Sequence, residues 1–133
     1  MKAKELKIGD IVQYEGTVLT IEEVGYDLCS GIDKDGVWLG IISCERITPI
    51  PLTEDVLEKS GWRKSEYMSV RGRATLYRLG STADRDRTVV CFYAQGIFLE
   101  MWQEHNIVRK EIKYVHQLQH LLWAQGLDEE LKI

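Results

Sequence analysis

The sequence predicts an α+β protein, and three observations lead to that prediction. The 133 residues are 44% hydrophobic and 29% charged, with only two prolines, which is typical of a globular domain. Short β-branched segments separated by turn residues occupy most of the chain. Two predicted helices accompany them, one indicated by cap residues after Pro51 and one by helical periodicity near the C-terminus. We expect two lobes, residues 1–50 and 51–133, joined in one compact unit.

Residues 1–50 have the pattern of a small SH3-like β-barrel. The strands predicted here are residues 8–14, 18–24, 31–33 with 37–42, and 45–50. Asp35-Gly36 is a strong hairpin signal, because glycine adopts the positive φ that a tight turn requires. The opening residues 6–12 (LKIGDIV) also resemble the first strand of many such barrels. Closure into a barrel would remove the exposed edges of so small a sheet.

Residues 51–133 predict a short helix, an antiparallel sheet and a C-terminal helix. Pro49 and Pro51 should end the preceding strand, because proline has no N–H to donate to a ladder. Thr53 is a typical helix N-cap, and Gly61 a typical residue just past a helix end. The strands that follow are predicted at residues 62–69, 73–79, 88–94, 97–102 and 106–109. Residues 88–94 are apolar on both faces and should form a central strand, whereas the polar segment 80–87 should be a mobile loop.

The C-terminal helix is predicted over residues 112–125 and should end at Gly126. Its apolar side chains lie on one arc at 100° per residue, which is typical of a helix with one buried side. The members of this arc are Tyr114, Val115, Leu118, Leu121 and Leu122. We expect the arc to pack on the antiparallel sheet of the second lobe.

Charge and cysteine content exclude several classes of protein. The net charge of −4 argues against a polybasic nucleic-acid-coating protein, and no apolar run reaches the roughly 18 residues of a membrane helix. The N-terminus has no apolar run typical of a signal peptide, so we expect a cytoplasmic protein. Cys29, Cys44 and Cys91 form no CxxC pair, so we expect buried, reduced thiols and neither a metal nor another cofactor.

His116 and His120 are the pair of residues that most resembles a catalytic motif. Their i, i+4 spacing is that of the HExxH zinc motif, but the residue after the first histidine is Gln117. An amide cannot accept a proton from metal-bound water, and the spacing identifies no third ligand. We therefore expect no enzyme, with a small metal-dependent enzyme using these histidines as an alternative.

The polar side of the C-terminal helix is predicted to bind a protein partner. On a helical wheel Trp123 falls in the same sector as the histidines, and an exposed tryptophan beside isoleucine is typical of an interface hot spot. The partner-binding residues would be Ile112, His116, Gln119, His120 and Trp123. In the alternative interpretation, the β lobe or the tail 127–133 covers Trp123.

A basic stretch interleaved with aromatic residues predicts a second kind of partner. Residues 59–87 hold eight basic and three acidic residues, a net charge of +5 in an acidic protein. Such a sheet face could contact phosphates and stack on bases, or could be an ordinary solvated face. The nucleic-acid-binding residues would be Arg63, Lys64, Tyr67, Arg71, Arg73, Tyr77, Arg85 and Arg87.

Four segments resemble small uncharacterised proteins of prophages and mobile elements from gut Bacteroidetes-type bacteria. They are residues 4–10 (KELKIGD), 47–62 (ITPIPLTEDVLEKSGW), 112–121 (IKYVHQLQHL) and 126–131 (GLDEEL). The resemblance implies a phage-related context and the order β lobe, helix, sheet, helix, and it brings no catalytic residues. We predict a non-catalytic binding or adaptor protein of a phage or mobile element.

Overall fold

A computed structural model describes residues 1–79, 88–102, 107–127 and 130–133. The chain divides into two units, Met1–Pro51 with Tyr114–Gly126, and Leu52–Lys113 with Leu127–Ile133. Each unit contains one five-stranded antiparallel sheet, and two α-helices accompany them. The predicted α+β class is therefore confirmed. The sequence predicts that all residues after 50 belong to one lobe, whereas residues 114–126 belong to the first unit in the structure.

The first unit is an antiparallel sheet with strand order β4-β3-β2-β1-β5. Its strands are β1 Ile11–Tyr14, β2 Thr17–Val24, β3 Leu28–Ile32, β4 Trp38–Ser43 and β5 Ile47–Thr48. The side chains that alternate inward form its core, which contains Leu6, Val12, Leu19, Ile21, Cys29, Ile42, Cys44 and Ile47. Strand β5 has only two residues, and no pairing between β4 and β5 closes the sheet among the described residues. The structure therefore shows the five strands without the closure of the predicted barrel.

The second unit begins with helix α1, Glu54–Lys59, and its strand order is β10-β9-β8-β7-β6. The strands are β6 Arg63–Ser69, β7 Gly72–Arg78, β8 Thr88–Tyr93, β9 Gly96–Trp102 and β10 Ile107–Ile112. Strand β8 is central, as its apolar sequence predicts. The predicted mobile loop 80–87 lies outside the described residues.

Helix α1 packs on one face of the second sheet. Thr53 caps it by accepting a hydrogen bond from the Val56 N–H, as predicted. The Tyr77 hydroxyl oxygen lies 3.0 Å from Glu54 Oε1 and 2.9 Å from Glu58 Oε1, which places α1 over the face that carries Tyr77. Register places Val90 and Leu99 on that same face, which we call the α1 face.

We call the opposite face of the second sheet the Cys91 face. Its centre is Ala74, Leu76, Val89 and Cys91, with Tyr93 and Trp102 packed against them. Tyr67 on β6 and Trp102 on β9 bring their ring centroids to 6.0 Å, although two strands separate them. Neighbouring strands lie about 4.8 Å apart, so the backbones of β6 and β9 are separated by roughly 14 Å. The two large side chains therefore lean toward each other across the Cys91 face.

Helix α2, Val115–Ala124, belongs to the first unit. The prediction that it packs on the sheet of the second lobe is therefore wrong. Its N-cap is Tyr114, whose N–H donates to Gln117 Oε1 at 3.1 Å. Gln119 joins it to the start of β1, since its Oε1 accepts from the Ile11 N–H at 2.9 Å and its Nε2 donates to the Gly9 carbonyl at 3.0 Å. The apolar arc of α2 could pack on either sheet, but the two hydrogen bonds of the Gln119 side chain can form only beside the start of β1.

Candidate functional site: an apolar surface on the first unit

Three large apolar side chains are exposed on strands β3 and β4. Trp38 is 56% exposed, Ile41 is 71% exposed and Leu28 is 48% exposed. We call these three residues the Trp38 surface. They border a cleft of about 240 Å³, which is also lined by Glu23, Gly25, Cys29 and Ser30. Exposed apolar groups gathered at one place on a monomer are typical of a contact surface.

Strand alternation explains why this surface forms. Ile41 and Ile42 are consecutive, so Ile42 points into the core at 4% exposure while Ile41 points outward. Ile41 pairs with Ser30, and Ser30 pairs in turn with Glu23, so these three residues share the outer face. Strand β4 is at an edge of the sheet, where natural proteins usually place charged residues that prevent pairing with another chain. Here the edge is apolar.

The polar groups around the Trp38 surface are acidic. Ser30 is buried and its hydroxyl donates to Glu23 Oε1 at 3.0 Å, which fixes that carboxylate beside the cleft. Between residues 22 and 45 the chain holds six acidic residues and one basic residue, Lys34. The surface therefore combines an apolar centre with a negatively charged surrounding.

Sequence reasoning missed this surface, although a signal was present. The run Val37-Trp38-Leu39-Gly40-Ile41-Ile42 is apolar at consecutive positions, more than a half-buried strand needs. The pattern of short β-branched segments predicts only a strand of the barrel here. The excess apolar residues are those that the structure leaves exposed.

The structure corrects the predicted partner-binding face of the C-terminal helix. His116 is 6% exposed and Gln119 is 5% exposed, so neither presents a surface to a partner. Ile112 is also buried and ends strand β10 of the other unit. His120 and Trp123 remain half-buried. The helical wheel identified one apolar arc but could not show that its polar side is also covered.

The buried polar side of α2 forms a network with the N-terminal segment. His120 Nε2 lies 2.7 Å from Oδ1 of the fully buried Asp10, whose Oδ2 accepts the Lys7 N–H at 2.8 Å. The Trp123 ring lies beside His120 and against Gly9, where an added Cβ would be 3.3 Å from the indole. This network fixes α2 to the segment preceding β1.

His116 is the one member of this region with an unpaired buried nitrogen, Nδ1, among the described residues. Burial lowers the pKa of its imidazole below the ordinary value of about 6.5, and the nearby His120 lowers it further. Asp10 and Glu5 oppose this shift. Within the described parts of the chain, no group of three or more His, Cys, Asp or Glu could hold a metal ion.

The predicted nucleic-acid-binding residues do not share one sheet face. Tyr77 is fully buried against α1, so its predicted exposure is wrong. Register places Arg63 and Tyr67 on the Cys91 face, and Lys64 and Arg73 on the α1 face. Arg71 lies in the turn between the two strands, while Arg85 and Arg87 lie outside the described residues. The structure brings six of the eight predicted residues onto one β-hairpin, and one of the six, Tyr77, is buried there.

A buried carboxylate organises the Cys91 face. Glu100 is 3% exposed and accepts hydrogen bonds from Trp102 Nε1 at 3.1 Å, Tyr93 Oη at 3.3 Å and Arg109 Nε at 3.0 Å. The Arg109 guanidinium also lies 4.0 Å from the centroid of the Phe98 ring. The Glu100 carboxylate therefore has three hydrogen-bond donors, one of them a cation, within its own unit.

Two cysteine thiols are electrostatically unsuited to nucleophilic chemistry. Burial, followed by the nearby Glu100 carboxylate, raises the pKa of Cys91 to about 12. Burial and the neighbouring Cys44 raise the pKa of Cys29 to about 11. A thiolate is the reactive form, so both residues behave as small apolar side chains at neutral pH.

Comparisons with family models, curated proteins and solved structures find no match to this chain. None of the helices in the described part of the chain has the length and apolar character needed to cross a membrane.

Proposed function

We propose that this chain is a non-catalytic binding or adaptor protein whose first unit binds an extended segment of a protein partner. The observation that carries the proposal is the Trp38 surface, three exposed apolar side chains on and beside the edge strand β4. An extended segment can add to such an edge as a further strand. Its main chain then supplies affinity, and alternate side chains supply specificity.

The chemistry of the surface specifies the partner. Apolar side chains would occupy the cleft beside Trp38 and Ile41, and tryptophan is a common energetic anchor of interfaces. Basic side chains would face the six acidic residues between positions 22 and 45. A second copy of this chain would bring two such acidic surroundings together, so we expect a different protein as partner.

Two further points support an adaptor role. The strand order β4-β3-β2-β1-β5, with a 3-10 turn at Cys44–Arg46 before β5, is compatible with the SH3-like barrel predicted from sequence. The resemblance to prophage and mobile-element proteins gives the proposed setting, the cytoplasm of a bacterium that carries such an element. Both points are independent of the Trp38 surface.

Selection from a random 12-residue peptide display library tests this function. The library is panned on the immobilised protein and in parallel on Trp38→Ala and Ile8→Ser. Ile8 is a matched control because it is 67% exposed in the same unit but does not line the cleft. We expect peptides rich in aliphatic and basic residues to be enriched on the wild type and on Ile8→Ser.

Binding of an enriched peptide should weaken about 30-fold on Trp38→Ala, the effect of a hot spot worth about 2 kcal/mol. Fluorescence anisotropy with the labelled peptide measures this change. Enrichment of acidic peptides, or unchanged affinity for Trp38→Ala, would contradict the proposal. Sedimentation velocity provides a second check, because a wild-type dimer that Trp38→Ala dissociates would identify a second copy as the occupant instead.

A further inference from the structure

In the β6–β7 hairpin, residues 63–78, strand β6 and the turn are exposed, whereas Ala74, Leu76 and Tyr77 of β7 are buried. Residues 63–68 are all exposed, and Val70 in the turn is completely so. Among the described residues, strand β7 pairs with β8 only between Thr75 and Arg78. Residues 67–73 therefore form the end of a two-stranded ribbon. Tyr67 packs against Trp102, and the Arg71 carbonyl accepts a hydrogen bond from Gln95 Nε2 at 3.3 Å, whereas Met68 and Val70 are exposed apolar side chains.

The hairpin is the most basic part of the described chain. Residues 63–78 hold five basic residues and one acidic residue, Glu66, within a protein of net charge −4. The charges occur on both faces, with Arg63 on the Cys91 face and Lys64 and Arg73 on the α1 face, while Arg71 lies in the turn. Lys64 Nζ lies 3.8 Å from Glu58 Oε1 in an exposed ion pair, which is a weak interaction. Arginine offers five N–H donors, so contacts within the chain leave others for a ligand.

We propose that the β6–β7 hairpin enters a groove of duplex DNA. A ribbon in a groove has a phosphate backbone on each side, which matches cations on both of its faces. The major groove of B-form DNA is wide enough to admit a two-stranded β-ribbon, and several DNA-binding proteins dock in this way.

The exposed apolar tip fits the same ligand. Met68 pairs with Arg73, and Val70 precedes Arg71 in the turn. An exposed apolar side chain at this end of the hairpin can contact a thymine methyl group or wedge between base pairs. A-form RNA has a deep, narrow major groove that side chains cannot read, so duplex RNA should bind more weakly than duplex DNA.

Salt dependence gives the expected magnitude. If Arg63, Lys64, Arg71 and Arg73 each neutralise one phosphate, the slope of log K against log salt is about −3.6. Raising the salt from 50 to 200 mM should then weaken binding roughly 150-fold. Removing two of the four contacts should bring the slope to about −1.8.

Fluorescence anisotropy with a labelled 20-base-pair DNA duplex tests the proposal on the full chain. The variant is Arg71→Glu with Arg73→Glu, and the matched control is Lys4→Glu with Lys34→Glu. The control changes two exposed lysines of the first unit, so both variants alter the net charge equally. We expect the hairpin variant to bind at least about tenfold more weakly with the reduced slope, and the control to keep the wild-type slope. Far-UV circular dichroism verifies that both variants are folded.

Three results would overturn the proposal. The first is equal loss of binding in the control, which would reflect net charge alone. The second is tighter binding to a single-stranded 20-mer than to the duplex. The third is sedimentation with phosphatidylglycerol vesicles in the absence of duplex binding. Because the hairpin belongs to the second unit, Trp38→Ala should bind DNA as the wild type does, so this proposal and the proposed function can fail separately.

Discussion

Lowering the pH from 7.5 to 5.5 should destabilise the first unit through His116. Burial holds the pKa of this imidazole below the value of about 6.5 that it has in the unfolded chain. Below pH 6.5 the unfolded state therefore binds more protons than the folded state. The stability associated with neutral His116 is complete above about pH 6.5 and is lost as the pH falls toward the folded pKa.

The size of the loss follows from proton linkage. While His116 stays neutral in the folded state, each pH unit below about 6.5 costs at most about 1.4 kcal/mol. Between pH 7.5 and 5.5 the free energy of unfolding should therefore fall by up to about 1.4 kcal/mol from this residue. His120, Asp10 and Glu5 also act on this imidazole. Its pKa is lowered overall, although Asp10 and Glu5 raise it.

His116→Leu isolates this contribution because it removes the titrating group together with its unpaired Nδ1. Urea titrations at the two pH values, followed by the amide NMR signals of α2, measure the stability of the first unit. We expect the variant to lose the His116 part of the pH dependence and to be at least as stable as the wild type at pH 5.5.

His120→Gln is the control, because glutamine can still donate to Asp10 while burial, the largest cause of the lowered His116 pKa, stays in place. A direct NMR titration of the His116 ring should give a midpoint below about 6.5. If the midpoint lies above that value, or if His116→Leu keeps the full wild-type pH dependence, the reasoning is refuted.

Three further predictions follow from the packing. In Gly31→Ala the new Cβ would lie 2.7 Å from the Thr20 carbonyl oxygen, so we expect a loss of at least about 2 kcal/mol in urea unfolding, and an unchanged midpoint would contradict this. Gln119→Leu leaves a backbone N–H and a backbone C=O without their partner, and thermal melts should show a loss of about 1–3 kcal/mol, with no loss expected for exposed Lys4→Leu. At pH 8 the thiol reagent DTNB should react with neither Cys29 nor Cys91 in the folded protein but with both in urea, and rapid reaction before unfolding would disprove their burial.

The sequence predicted the elements of this fold better than their partners. Helix α1 follows from local signals, a Thr53 cap and Gly61 at its end, which act within one turn. The central position of β8 follows from its composition. The placement of α2 does not follow, because its apolar arc fits any apolar sheet and the deciding contacts join residues more than 100 positions apart, such as Gln119 and Ile11.

The sites were harder to predict because a polar or aromatic residue does not reveal whether the chain itself supplies its partner. On α2, the polar residues Gln119 and His120 indicated a binding site. In the structure Gln119 binds Gly9 and Ile11, and His120 binds Asp10. On β4, Trp38 and Ile41 were not predicted to belong to a binding site, and both are exposed. Buried polar groups are almost always satisfied internally, so conspicuous polarity on a helix is weak evidence for a binding site. An apolar excess on an edge strand is stronger evidence, because without a partner it exposes the chain to unwanted pairing.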